Sequence, residues 1–422
     1  MVIEFGRQSS EPVTEMYKPE KQVTKHIAIF VRSFEGSGGA ERVLLNLGCD
    51  LYAHGYKVDL VMARHSGHFL DQIPPEIKLV NLNVRSAKES LRFVHKLGRD
   101  TWFWIQMVLS KNSHYVLGAL PGLSDYLRRE RPDALIASMD YPNAVAVKAR
   151  EISGVKSRLI LTVHSTLSEE IARSKKRRVR AQVKVDRRFY PRADAVVTVS
   201  RGVADDLART LGLPLESLTT IYNPVVSDRL VQQAGEPLSH PWFADTGPPV
   251  ILSVGGFKPA KDYKTLLKAF ALVRQDRPAR LLLLGEGRLK QSLLRQAEAL
   301  GVSADLDMPG FVDNPFKFMA NASLFVLSSV YEGLPTVLIE ALACGCPVVS
   351  TDCPSGPNEI LDNGRYGSLV PMGDEQLLAA AIMQTLDTPP EKAKLRARGD
   401  DFRLEKATEK YLDLINASSP EN

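Results

Sequence analysis

Short apolar runs alternate along the chain with longer stretches whose apolar residues recur every three or four positions. His26-Ile-Ala-Ile-Phe-Val31 reads as a strand. Gly39 to His54 reads as a helix with Val43, Leu44, Leu47 and Leu51 on one face. Further strands are expected at Lys57 to Met62, Ala134 to Ser138, Arg158 to Val163 and Asp194 to Ser200, each followed by helix-compatible sequence. This is the rhythm of βαβ units and of a parallel sheet. It pauses from Tyr222 to Pro249, where Pro and Gly accumulate and periodicity is lost, as in a linker. It restarts with strands at Val250 to Val254, Arg280 to Leu284, Leu324 to Ser328 and Pro347 to Ser350, and ends in an amphipathic helix, Phe402 to Ile415. The pattern predicts an α/β protein of two doubly wound parallel-sheet domains facing each other across a cleft. The expected divisions are a tail over 1–24, a first domain over 25–225, a linker over 226–248, a second domain over 249–400, and a terminal helix and tail over 401–422.

Composition narrows the function classes. At roughly 100–200 residues per domain, 422 residues suffice for two buried cores. A net charge of +5, from 54 basic and 49 acidic residues, is too mild for a nucleic-acid partner, and none is expected. The four cysteines lack Cys-x-x-Cys spacing, and Cys344, Cys346 and Cys353 cluster without a histidine, so reduced thiols are expected rather than a zinc site. The segment Met1 to Pro19 lacks the basic and apolar blocks of a signal peptide, and no apolar stretch reaches the ~18–20 residues of a spanning helix. A cytoplasmic protein is expected, in peripheral contact with a membrane at most.

In doubly wound sheets, ligands bind outside the carboxyl ends of the strands. Polar residues just after each strand are therefore the candidates. Gly36-Ser-Gly-Gly39 follows the first strand, where it makes either a tight turn or a backbone approach to phosphate. His164 follows the Arg158–Val163 strand and is either structural or placed to hydrogen-bond a ligand. Lys258 and Lys261 lie in Gly255-Gly-Phe-Lys-Pro-Ala-Lys-Asp262, where lysines suit a departing diphosphate unless they are simply solvated. Tyr331-Glu-Gly-Leu-Pro-Thr-Val-Leu-Ile-Glu340 is the most informative segment. Glu332 precedes a predicted helix whose first turn suits Pro335. Glu340 sits among apolar neighbours inside that helix, as a ligand-binding carboxylate or a salt-bridged one. The N–H groups from Gly333 through Leu334 and Pro335 to Thr336 mark a helix start that favours phosphate. The eight histidines are scattered and no Asp-x-Asp motif follows a strand, so no metal and no cofactor are expected.

These residues resemble the retaining glycosyltransferase family 4, whose fold is GT-B, two Rossmann-like domains. The resemblance runs from about His26 to Ile415. It rests on E-x7-E (Glu332 to Glu340) within a similar stretch from Leu284-Gly-Glu-Gly287 through Pro309-Gly-Phe311 to Gly345–Asp352, and on Gly38-Gly-Ala-Glu-Arg42 and Ala193–Ser200. It implies that Glu332 binds hydroxyls of a donor sugar, that Glu340 binds the ribose, and that Lys261 neutralises the diphosphate. Gly38 and Gly39 would approach that diphosphate from the other domain, His164 would sit beside the sugar, and Phe311 and Val312 would lie near the base. The acceptor would attack from the leaving-group face, helped by a donor phosphate oxygen, and the C-terminal helix would cross back onto the first domain. One position departs from the family: Gly256 stands where an arginine is common, and Lys258 is the substitute at hand.

The acceptor side is marked by charge. Arg173 to Arg192 holds ten basic residues, among them Arg173, Lys175, Lys176, Arg177, Arg178, Arg180 and Lys184, against one acid, Asp186. This run is either a solvated helix face or a surface for anionic head groups or a lipid diphosphate. Trp102 and Trp104, with cations on either side, suit a membrane interface or a buried helix. The expected reaction is transfer of a hexose or N-acetylhexosamine from a UDP-sugar to a glycan or lipid-linked glycan at the inner membrane face. The alternatives are an inactive binding protein of the same fold and a sugar-nucleotide epimerase.

Overall fold

The computed structural model describes residues 25–34, 39–64, 66, 73–82, 84, 100–101, 104, 115–173, 177–244 and 247–417. The strands are β1 (His26–Val31), β2 (Lys57–Met62), β3 (Lys78–Asn81), β4 (Ala134–Ser138), β5 (Arg158–Val163), β6 (Ala195–Thr198) and β7 (Leu218–Thr220). There follow β8 (Val250–Val254), β9 (Arg280–Leu284), β10 (Leu306–Gly310), β11 (Leu324–Leu327), β12 (Val348–Thr351) and β13 (Ser368–Val370). The helices are α1 (Gly39–Ala53), α2 (Leu120–Glu130), α3 (Asp140–Ser153), α4 (Leu167–Arg173), α5 (Arg177–Phe189), α6 (Arg201–Leu211), α7 (Asp228–Ala234) and α8 (Tyr263–Asp276). They continue with α9 (Lys290–Ala299), α10 (Phe316–Asn321), α11 (Thr336–Ala343), α12 (Pro357–Leu361), α13 (Glu375–Asp387), α14 (Lys392–Gly399) and α15 (Leu404–Asn416).

The strands make two Rossmann-like sheets. One has the order β3-β2-β1-β4-β5-β6-β7, parallel in its pairings from β3 through β5. The other has the order β10-β9-β8-β11-β12-β13 and is parallel throughout. The inner strands β1, β4, β11 and β12 are buried along their whole length, because helices cover both faces of a parallel sheet. That is why they read as mostly apolar runs without polar alternation. By their contacts, the described residues within 25–162, 184–196 and 412–417 form one compact unit, and those within 163–183 and 197–411 form the other.

In the second unit, Ile251, Leu281, Leu283, Leu324 and Val326 of the sheet pack with Leu266, Phe270 and Val273 of α8 and with Leu378 and Ile382 of α13. The stretch from Tyr222 to Pro249, read from the sequence as irregular, holds a short helix. Ser227 starts α7 by accepting a hydrogen bond from the N–H of Leu230. Just before it, Val226 is bridged to Arg403 and accepts from the N–H of Leu404 at 3.0 Å, so the segment is tied to the start of α15. In the first unit, the end of α15 is held by Lys25, whose ammonium donates to Asn416 Oδ1 at 2.5 Å.

Candidate active site

The order of the second sheet reverses between β8 and β11, and doubly wound sheets bind ligands in a crevice outside the carboxyl ends of strands at such a switch point. Both loops carry predicted site residues, and the backbone joins them. Val330 N–H donates to Ala260 O at 2.8 Å, and Ser328 Oγ donates to Lys261 O at 2.7 Å. Lys261 closes the short turn Pro259–Lys261 ahead of α8. Its Nζ donates to Glu332 Oε1 at 2.6 Å, and Ser329 Oγ donates to the same oxygen at 2.6 Å. The Lys261 and Glu332 side chains are 21% and 16% exposed, so the pair is sheltered but reachable.

The backbone around Glu332 is held just as closely. Thr166 Oγ1 donates to Glu332 O at 3.3 Å, and Ser200 Oγ donates to Gly333 O at 2.9 Å. A Cβ on Gly333 would lie 2.0 Å from the carbonyl oxygen of His164, so only glycine lets this loop pass the end of β5. The His164 ring is largely withdrawn from water, which lowers its pKa to about 4 and keeps it neutral at pH 7. Beside it, Arg173 lies over the Tyr331 ring at 5.6 Å and donates to Glu169 at 2.9 Å. At the start of α12, the Glu359 carboxylate accepts from the N–H groups of Arg201 and Gly202 at 2.8 and 2.9 Å, and from Tyr222 OH at 3.0 Å.

The remaining candidates lie on neighbouring loops and helix starts of the second sheet. Gly256 has no positive φ, and the nearest atom to a Cβ placed there is Lys258 Cε at 3.3 Å. The exposed lysine stem therefore runs along the space that a side chain at 256 would enter. Gly333, Leu334 and Pro335 are buried and lead to Thr336 at the start of α11, one of whose buried residues is Glu340, 4% exposed. Phe311 follows β10 and is 54% exposed, with Val312 half-buried beside it. Among the described residues, no group of three or more His, Cys, Asp and Glu is placed to hold a metal ion.

In the first unit, Gly39 opens α1 and is exposed, while Gly38 lies outside the described residues. Trp102, Lys175 and Lys176 also lie outside them, as do the side chains of Arg177, Arg178 and Arg180, whose backbone belongs to α5. Lys184 is exposed. For Trp104 the buried alternative holds: its indole is fully enclosed, edge-on to Phe189 at 5.9 Å. Nearby, Asp100 is buried. Burial alone would raise its pKa, but hydrogen bonds from Lys148, Arg192 and Arg188 hold it at about 2. Two cations of the basic run, the sheltered Arg192 and the exposed Arg188, thus pair with Asp100.

Thr166, Ser200, Ser328, Ser329 and Glu359 were not singled out in the sequence. The signal for four of them was present: each follows a strand by one to three residues, where the strand-end rule looks. Glu359 follows no such rule, because it reaches its partners from the start of a short helix.

The arrangement offers a cation for a leaving diphosphate, a carboxylate for hydroxyl groups, a neutral imidazole and a helix start. Comparison with known proteins addresses the chain as a whole. Residues 37–229 match the family model described as Glycosyltransferase Family 4, and residues 237–402 match that of Glycosyl transferases group 1. Over 406 residues, covering 92% of this chain and 99% of the relative, it is 28% identical to N-acetylgalactosamine-N,N'-diacetylbacillosaminyl-diphospho-undecaprenol 4-alpha-N-acetylgalactosaminyltransferase of Campylobacter jejuni. It is 33% identical over 237 residues, 55% of this chain and 66% of the relative, to a lipopolysaccharide core biosynthesis glycosyltransferase of Rhizobium meliloti. Among solved structures, Anabaena HepE in complex with UDP and glucose matches with a TM-score of 0.68 over 92% of this chain and 98% of that chain, at 19% identity.

Proposed function

The chain belongs to glycosyltransferase family 4 and has the GT-B fold; from that premise we propose that it transfers a hexose or N-acetylhexosamine from a UDP-sugar to a lipid-linked glycan, with retention and without a metal. The observation that carries the proposal is the Lys261–Glu332 pair at the β8/β11 switch point, 2.6 Å apart. Lys261 supplies positive charge where a diphosphate leaves, in a partly water-excluded setting where a fixed charge acts strongly. Glu332 accepts from hydroxyls of the sugar. The start of α11 directs backbone N–H groups at the phosphates, and Glu340 takes the ribose. Phe311 offers an exposed ring to the base. His164, neutral at pH 7, hydrogen-bonds the sugar rather than adding charge. The donor's own phosphate oxygen accepts the acceptor proton, so attack and departure share one face and the anomeric configuration is retained.

The acceptor part of the reading is supported by the Campylobacter relative, whose name describes adding a sugar to a glycan carried on undecaprenol diphosphate. The exposed cations Lys184 and Arg187 of α5 suit such an anionic partner at the inner membrane face.

Calorimetric titration of UDP, GDP and ADP in EDTA tests the donor site. UDP is expected to bind in EDTA, and Lys261→Ala to weaken it at least tenfold while leaving the protein folded. Binding that requires a divalent metal would remove the metal-independent reading. Absence of binding by any of the three to folded wild type and to folded Glu332→Gln alike would favour an inactive protein with a lost donor site.

A further inference from the structure

Lys261 does not present a bare ammonium to the crevice: its charge is already satisfied by Glu332 Oε1 at 2.6 Å. Glu332 in turn accepts from Ser329 Oγ at 2.6 Å, and its backbone is fixed by Thr166. The carboxylate is therefore held against the lysine by a built support and not by a chance meeting of two flexible chains. Ser328 likewise pins the Lys261 carbonyl, so neither end of the pair is free to drift.

We infer that Glu332 is an internal competitor of the donor's diphosphate for Lys261, and that donor binding is an exchange of counter-ions. This rests on the donor-site reading above and deepens it. A nucleoside diphosphate must displace the carboxylate from Lys261 and leaves it with a lost partner beside a new negative charge. A nucleotide-sugar displaces it too, but brings hydroxyls that donate to the released carboxylate. The exchange thus favours the sugar-bearing donor over the nucleoside diphosphate left after transfer. It helps expel that product, because Glu332 returns to Lys261 as the diphosphate departs. Glu332 acquires a second role as a residue that sets donor-over-product selectivity, exercised through its ion pair.

The test uses the full chain in EDTA at low ionic strength, with UDP, GDP and ADP as probes. Wild type, Glu332→Gln, Lys261→Met and the double variant are compared by calorimetry, each first shown folded by its thermal melt. Glu332→Gln keeps the size of the side chain and removes the competitor, so it is expected to bind the preferred nucleoside diphosphate about fivefold tighter than wild type. The gain is expected to vanish in the Lys261→Met background. Should Lys261→Met melt below the assay temperature, Lys261→Gln replaces it. Unchanged or weaker binding by Glu332→Gln overturns the exchange. A gain that persists without Lys261 also overturns it, since plain charge repulsion would then suffice. Folded wild type and Glu332→Gln that both bind none of the three overturn the donor-site reading itself, and the exchange with it. Binding by Glu332→Gln but not by wild type supports both.

Discussion

At the scale of single residues, His164 carries a prediction whose sign follows from its burial. The folded ring has a pKa of about 4, against 6.5 for an unperturbed histidine. Between these values the unfolded chain holds a proton that the folded chain does not, so stability rises with pH there and falls on acidification. Wild type is expected to lose roughly 1–2 kcal/mol more than His164→Gln between pH 7 and pH 5. Urea unfolding of both proteins at the two pH values measures this, and equal losses would show that the imidazole titrates normally in the fold. At the same scale, the sequence named Lys261 and Glu332 separately, from their positions after two strands, but not their union. That required knowing that β8 and β11 are neighbours, a fact of sheet order that no local pattern contains. The departure at Gly256 was legible at once. Its consequence was not, because only the coordinates place Lys258 Cε 3.3 Å from where a side chain at 256 would begin.

The elements that the sequence pattern located and those it missed divide along a physical line. The inner strands were found because burial on both faces demands continuous apolar residues. β3, β7, β10 and β13 were missed, and these four are the edges of the two sheets. An edge strand has one neighbour and is partly wetted, so Lys-Leu-Val-Asn, Leu-Thr-Thr and Leu-Asp-Met-Pro-Gly offer no apolar run to read. α7 escaped for the same reason, since Leu230 is its buried residue. A contact between elements supplies the next prediction. Glu359 of α12 closes the N-terminus of α6, placing a carboxylate where the helix dipole is positive and two N–H groups lack helical partners. Glu359→Gln keeps the shape but removes the charge and replaces one accepting oxygen by an NH2 donor, so a hydrogen bond goes with it, and it is expected to lower the unfolding free energy by about 1–2 kcal/mol. The deficit should shrink in 1 M salt, as a partly exposed helix-end charge is screened. A deficit that salt does not touch would mean that the hydrogen bonds alone, not the charge, make the contact.

For the whole molecule, net charge says little and its placement says more. The chain carries only +5 overall, yet Arg173 to Arg192 gathers ten cations. The structure sorts them. Arg188 and Arg192 donate to the buried Asp100 and Arg173 donates to Glu169 and lies over Tyr331, while Lys184, Arg187 and Arg188 are all exposed on α5. No helix among the described residues is long and apolar enough to cross a membrane. Exposed cations facing an anionic surface would each contribute about 1 kcal/mol near the lipid and less as salt rises. Co-sedimentation with vesicles measures it. Binding is expected to vesicles containing phosphatidylglycerol and not to those of phosphatidylcholine alone, and to fall between 50 and 500 mM NaCl by about tenfold or more. Reversing two charges with Lys184→Glu and Arg187→Glu should weaken it by at least as much at low salt. Equal binding to both vesicle types, or binding to neither, would remove lipid charge from the account and leave the basic run as a solvated helix face.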